Sequence, residues 1–476
     1  MVFCGLNQGG PRLRVRHPYG RIGALPPAAL GRRPPRVPQT ETRLSAPTLP
    51  EPGPAGETVA GEPPAPVVPA RPASRRLGHV EAFEGMRGIA VGIVVIAHLN
   101  ILVPVPEYLV VPGGVVSLNS FFVLSGFLIT TLLLKEHASN GRISAPAFYR
   151  RRALRLFPAL LAMLAAHTVY AAVAGLDAVI QIKSVLAAAF YFMNWRLALT
   201  GNDLGSTQVT EGLQHIWSLS FEEQFYLVWP WVTMLGLTYA RRLRTVVIAI
   251  VALMIIVSLH RANQYASGAS WYPIFIRTDT RFDSFLPGVL LAHIWFRGRE
   301  PKKFVPLAGW IALAILVVCL FTARIDEPFL YYGGMTLIDV SCAVLILAIL
   351  DGRWRANRFF ELKMLVRLGT VSYALYLWHL PVMFALRRWT IDINLLTGER
   401  EYSVSPWITV PASLAISLAF TLASWYLLEK PAMAWKRRIE GRPVDSLAPD
   451  DRSGAVPSGA TATEARTSAF SARSRP

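Results

Sequence analysis

The 476-residue chain is 53% hydrophobic and 16% charged, with a mean hydropathy of +0.38 and a formal net charge of +18. Those values, with many apolar runs of membrane-spanning length, describe a polytopic membrane protein and exclude an ordinary soluble domain. The basic balance does not point to nucleic acid: the arginines cluster in the tails and between apolar runs, where orientation and anionic lipid account for them. Cys4, Cys319 and Cys342 are too few and too irregularly spaced for a disulfide framework or a zinc site.

Residues 1–79 are rich in Pro, Ala, Gly and Arg and cannot bury enough apolar surface to fold, so a disordered tail is expected. A second polar tail is expected at 441–476, leaving a membrane domain over 80–440. Within it eleven apolar stretches lie at about 86–103, 115–134, 157–174, 183–199, 217–239, 245–260, 282–296, 305–322, 333–350, 366–386 and 408–428. No appended soluble domain is legible, so any chemistry falls to the membrane domain.

The basic connections set the topology. The tail before Arg87, the run Arg150 to Arg155, and the clusters at 241–244, 297–303, 353–363 and 436–438 all read as cytoplasmic by the positive-inside rule. Simple alternation of eleven crossings would put the later clusters outside. One non-crossing stretch restores them all, and the weakest is 183–199, which opens with Lys183 and contains Asn194 and Arg196. The expected fold is therefore all-α, with about ten transmembrane helices, one re-entrant or interfacial segment near 183–199, and both termini in the cytoplasm.

The first stretch, EGMRGIAVGIVVIAHL from Glu84, carries an arginine and a histidine that ordinary membrane helices avoid. Arg87 and His98 are eleven residues apart, about three helical turns, so they share a face roughly 16 Å apart along the axis. In the second stretch, Ser125 and Gly126 suit close helix packing better than nucleophilic chemistry, for which no local base appears. Arg152 and Arg155 fall on one face at i, i+3, where guanidiniums grip phosphate in bidentate fashion, although basic residues also belong there for topology.

Farther on, HIWSLSFEEQFYLVWPW places His215, Leu219 and Glu222 on one helical face, with Tyr226 one turn beyond Glu222. Glu222 and Glu223 point in different directions and so serve different purposes: pairing an arginine, orienting a histidine, or binding a second substrate. Asp279 and Asp283, with Arg281 between them, supply too few ligands for a metal and read as an ion pair or hydrogen-bonding site. Ser372, Tyr376 and His379 recur at spacings of four and three, and His379, just before Pro381, reads as a buried hydrogen-bonded side chain or a second functional histidine.

Taken together, these motifs resemble the membrane-bound acyltransferase-3 family over roughly residues 79–437. The resemblance rests on Arg87 and His98 with ten residues between them, FFVLSGFLI, the R-x-x-R of Arg152 and Arg155, WSLSFEEQFYLVWP, RTDTRFDSFLPG and SYALYLWH. Glu84 stands where the family often has an aspartate, keeping the carboxylate beside Arg87 with a longer reach. The family implies an integral-membrane O-acyltransferase of the bacterial cytoplasmic membrane. Its donor would be acyl-CoA, commonly acetyl-CoA, without a metal, and its acceptor a cell-surface glycan, lipid-linked saccharide or glycosylated metabolite. Relatives with a C-terminal hydrolase-like domain exist, and this chain reads as the stand-alone branch.

On that reading Arg152, Arg155 and Arg87 hold the donor phosphates, and the pantetheine arm follows the first helix towards His98. His98 is the expected base, with Glu222 or Glu223 setting its tautomer or holding the acceptor. An acyl-histidine intermediate is an open alternative to direct transfer. The competing function is a proton-coupled transporter using the same buried charges as a relay.

Overall fold

The computed structural model describes residues 78–103, 112–200, 212–239, 242–393 and 400–439. The tails expected at 1–79 and 441–476 therefore lie outside the described residues, apart from Gly78 and His79. In chain order the helices are α1 (Glu81–His98), α2 (Gly114–Asn140), α3 (Ala145–Val173), α4 (Ala178–Ala189), α5 (Met193–Thr200), α6 (Ile216–Tyr239) and α7 (Leu243–Ala266). There follow α8 (Trp271–Ile276), α9 (Thr278–Arg281), α10 (Leu286–Phe296), α11 (Val305–Thr322), α12 (Met335–Asp351), α13 (Asn357–Phe360), α14 (Lys363–Thr370) and α15 (Ser372–Thr390). Two three-residue strands, β1 (Ile391–Ile393) and β2 (Arg400–Tyr402), pair antiparallel before α16 (Pro406–Ser424) and α17 (Lys430–Ile439).

The fold is that of a multi-pass, all-helical membrane protein. Among the described residues seven helices are long and apolar enough to cross a bilayer, or eight if α14 and α15, bent by 71°, form one span. The expectation of ten differs at two stretches. Residues 217–239 fold into α6, which is 24 residues long but carries Glu222, Glu223 and Gln224 and is too polar to join that set. Residues 282–296 fold into a short turn and the 11-residue α10, whose length of roughly 16 Å is half the hydrocarbon thickness. The stretch 183–199 breaks between the 12-residue α4 and the 8-residue α5 at Tyr191, whose φ is +54°. Neither piece is long enough to span, as that stretch was expected not to.

Burial identifies the centre of the bundle. Of α2's most apolar window 72% is buried, against 11% for α7, so α2 is the hub and α7 faces outward. Small residues let the hub be packed tightly. A Cβ at Gly126 would stand 2.3 Å from the Phe285 carbonyl oxygen, and one at Gly288 of α10 would stand 1.9 Å from that of Val123. The start of α1 is held in the same way against α13 and α14: Cβ atoms at Gly85 and Gly369 would stand 1.7 Å from Phe360 O and 1.8 Å from Glu84 O. These contacts fix the backbone that carries Glu84 and Arg87.

Candidate active site

A cavity of about 320 Å³ lies among α1, α2, α3, α6 and α15. Helix α1 contributes Arg87, α2 contributes Ser125 and Lys135, and α3 contributes Arg152 and Arg155. Helix α6 adds Ser218, Glu222, Glu223 and Tyr226, while α15 adds Ser372, Tyr373 and Tyr376. Much of the remaining wall is the apolar face of α2, from Leu118 to Leu132. The i, i+3 spacing of the two α3 arginines and the i, i+4 spacing of Glu222 and Tyr226 turn each pair towards this space.

The two adjacent glutamates have separate partners. Glu223 accepts a charge-assisted hydrogen bond from Arg152 at 2.9 Å, and the Arg152 guanidinium lies 3.2 Å from the centroid of the Tyr226 ring. Glu222 Oε1 accepts from both Ser125 Oγ and Tyr226 Oη. Ser125 is thus part of the polar wall of the cavity as well as of the packing seam expected for it. At the rim Arg87 pairs with Glu84 at 3.6 Å, so the longer glutamate does reach its arginine. Arg155 lines the cavity without a hydrogen bond or ion pair among the described residues. Four cationic side chains against two carboxylates leave the lining net positive.

At the inner wall Tyr376 Oη donates to the His215 carbonyl oxygen at 2.8 Å and lies 2.5 Å from Ser218 Oγ. Next to it three histidines meet. The His215 ring centroid is 5.3 Å from those of Tyr376 and His379, and the His379 centroid is 5.2 Å from that of His98. His379 is fully buried and His98 partly exposed. No set of three or more His, Cys, Asp or Glu side chains among the described residues converges as metal ligands.

The structure bears on three expectations. His98 is not among the residues that line the cavity holding Arg87, which ends beside it at Tyr376 and Ser218. Neither glutamate sets the tautomer of His98: among the described residues its hydrogen-bond partners are Val94 O at 2.8 Å and His379 Nε2 at 3.3 Å. The charged trio at 279–283 lies outside the cavity lining and forms ion pairs and hydrogen bonds with residues outside the trio. Asp283 pairs with Arg261 at 2.7 Å, Arg281 donates to Asn119 Oδ1 at 2.7 Å and Phe275 O at 3.3 Å, and Asp279 meets Arg277 and His260.

Sequence reading overlooked two further residues. Lys135 follows Ser125, Leu128 and Leu132 at helical spacing, so its place on the cavity face was legible. Arg261, one residue beyond the apolar stretch at 245–260, is a fully buried side chain within α7.

A family profile described as an acyltransferase domain matches residues 80–428. The peptidoglycan O-acetyltransferase OatA of Listeria monocytogenes is 30% identical over 316 residues, 64% of this chain and 49% of that protein. A Bacillus subtilis protein provisionally named peptidoglycan O-acetyltransferase YrhL is 28% identical over 364 residues, 74% of this chain and 55% of that protein. The chain thus spans about half the length of these curated relatives. No solved structure matches it significantly.

Proposed function

The chain belongs to the acyltransferase-3 family, and from that premise we propose that it is an integral-membrane O-acyltransferase. It moves an acyl group, in the first instance acetyl, from acyl-CoA to a hydroxyl of a cell-wall glycan or related saccharide. The observation that carries this reading is the convergence of Arg87, Arg152 and Arg155 on one cavity whose long wall is apolar. Arg155, which forms no ion pair or hydrogen bond among the described residues, is suited to the phosphates of a CoA donor. Arg152, already engaged by Glu223 and Tyr226, completes the positive end. The apolar face of α2 suits the pantetheine arm, and the Ser125, Glu222 and Tyr226 cluster suits polar groups near the thioester.

His98 is the base in this scheme. A hydroxyl is a poor nucleophile near neutral pH, and imidazole is the side chain suited to take its proton there. The hydroxyl oxygen forms the new C–O bond as the thioester C–S bond breaks, and its proton passes through His98 to the leaving thiolate. Donor and acceptor then meet at the inner end of the cavity, beside Tyr376 and Ser218. In this orientation the arginine end of the cavity and both termini face the cytoplasm, and the protein resides in the bacterial cytoplasmic membrane.

The test compares, by mass, the cell-wall glycans and extractable saccharides of cells carrying wild type or His98→Ala, with both proteins quantified in the membrane. Acetyl esters present with wild type and absent with the variant are expected. Full acetylation by a well-expressed His98→Ala protein would remove His98 from the chemistry. Esters absent from both samples, with a solute gradient formed without thioester consumption, would favour the transporter instead.

A further inference from the structure

The histidine cluster contains a directional hydrogen-bond chain. A carbonyl oxygen only accepts, so any ring nitrogen bonded to one must carry the hydrogen. His379 Nδ1 lies 2.8 Å from Tyr376 O and 3.1 Å from Leu375 O, one turn back on α15, and therefore bears its N–H. In the neutral ring Nε2 is then a bare lone pair. That lone pair lies 3.3 Å from His98 Nδ1, which is itself 2.8 Å from Val94 O. Both neighbours of His98 Nδ1 are acceptors, so it too bears the hydrogen, and Nε2 of His98 is left unprotonated.

We infer that His379 is a positioning residue that, with the Val94 carbonyl, holds His98 in the Nδ1–H tautomer and leaves His98 Nε2 free to take a proton. The inference deepens the reading of His98 as the base and rests on it. When Nε2 accepts a hydroxyl proton, the positive charge is shared with Nδ1–H, which is already directed at the His379 lone pair, and the bond becomes charge-assisted. A doubly protonated His379 would oppose a second N–H to that of His98, so the chain works only with His379 neutral. Packing supports the geometry: His379 is fully buried, with the His215 ring set at 77° to its own. His98 and His379 are 281 residues apart in sequence, and α15 is the element that brings them together.

The experiment uses the full chain, ¹⁵N-labelled at histidine and reconstituted in bilayers, with solid-state NMR assigning the His98 nitrogens by comparison with His98→Ala. Wild type is expected to show a protonated Nδ1 and a bare Nε2. His379→Leu is expected to shift His98 towards a mixture of tautomers, while His379→Gln, whose amide oxygen can accept in place of Nε2, restores the wild-type pattern. Acetyl ester on cell-wall glycans, normalised to membrane protein, should follow in parallel: about a ten- to a hundredfold fall in His379→Leu and recovery of most of the loss in His379→Gln. A wild-type His98 protonated on Nε2, or a tautomer unmoved in His379→Leu, would overturn the inference whatever the ester assay gives. The predicted tautomers with no ester in any sample would instead sink the acyltransfer reading, and the hydrogen-bond chain would stand.

Discussion

Two of the arginine–carboxylate pairs among the described residues are of nearly equal length but sit in very different settings. Arg152 and Glu223 meet at 2.9 Å on the wall of the cavity, 17% and 15% exposed, and Arg261 and Asp283 meet at 2.7 Å with 0% and 1% exposed. The second pair is enclosed by protein donors and acceptors. Arg261 also donates to Thr280 O, Ser258 Oγ and Thr336 Oγ1, and Thr336 donates in turn to Asp283. Nearby, Arg281 ties α9 to Asn119 of the central helix. Around Arg152, by contrast, the neighbouring Arg155 is unpaired and the cavity is open beside it. Residue type does not separate a brace from a binding site here. What separates them is whether any charge is left for something else to neutralise.

The largest effect is expected where the sealed pair is broken. Asp283→Asn strips Arg261 of its counterion inside the bundle, which costs about 3–5 kcal/mol. Thermal unfolding of the purified protein in detergent should show that loss, and transfer should fall only in proportion to the protein remaining folded. Replacing both partners by Leu and Met of similar bulk should recover much of the stability, because no buried charge is then left alone. Stability unchanged in Asp283→Asn would mean that the two pairs do not differ in kind.

At the open end the expected effect is on binding. Arg155→Ala breaks no ion pair or hydrogen bond among the described residues, so unfolding should move by less than about 0.5 kcal/mol. Acetyl-CoA affinity should weaken about ten- to a hundredfold, the worth of a charge-assisted contact to phosphate. Calorimetric titration of the purified protein with acetyl-CoA measures it directly. Arg152→Ala should lose both binding and stability, because it also abandons Glu223. Unaltered affinity in Arg155→Ala would place the donor phosphates elsewhere.

What sequence spacing revealed and what it concealed divide along the same line. Spacing within one helix put Arg152 with Arg155 and Glu222 with Tyr226 correctly, because a helical period fixes which side chains share a face. It carried no information about which other helix stands opposite. Ser125 meets Glu222 across 97 residues and His98 meets His379 across 281. A glutamate therefore looked like the natural partner of His98, although the bundle supplies a carbonyl and a second histidine. The membrane-spanning count differs for a related reason: apolar composition registered 282–296 as a span, but the turn at Phe282–Phe285 shortens the helix that follows. Buried Arg261, just past the apolar stretch at 245–260, shows that paired charge inside a bundle is indistinguishable in sequence from a helix end.

The smallest expected effect comes from a third carboxylate, Asp279, which lies on α9 outside the candidate spans and is 36% exposed. Burial opposes its ionisation, but hydrogen bonds from Arg277 and His260 outweigh that and hold its carboxyl below the ordinary carboxylate range. A carboxylate lowered in the folded state contributes stability above its unfolded value, and that contribution fades as the pH falls through the folded one. Solvent screens a pair this exposed, so Asp279→Asn should cost less than about 1 kcal/mol near neutrality. The gap from wild type should narrow as unfolding is followed into acid, towards and below the ordinary carboxylate range. A cost near that of Asp283→Asn would mean that exposure does not govern what these pairs contribute, and a gap that widened in acid would mean that Asp279 is not held ionised by its neighbours.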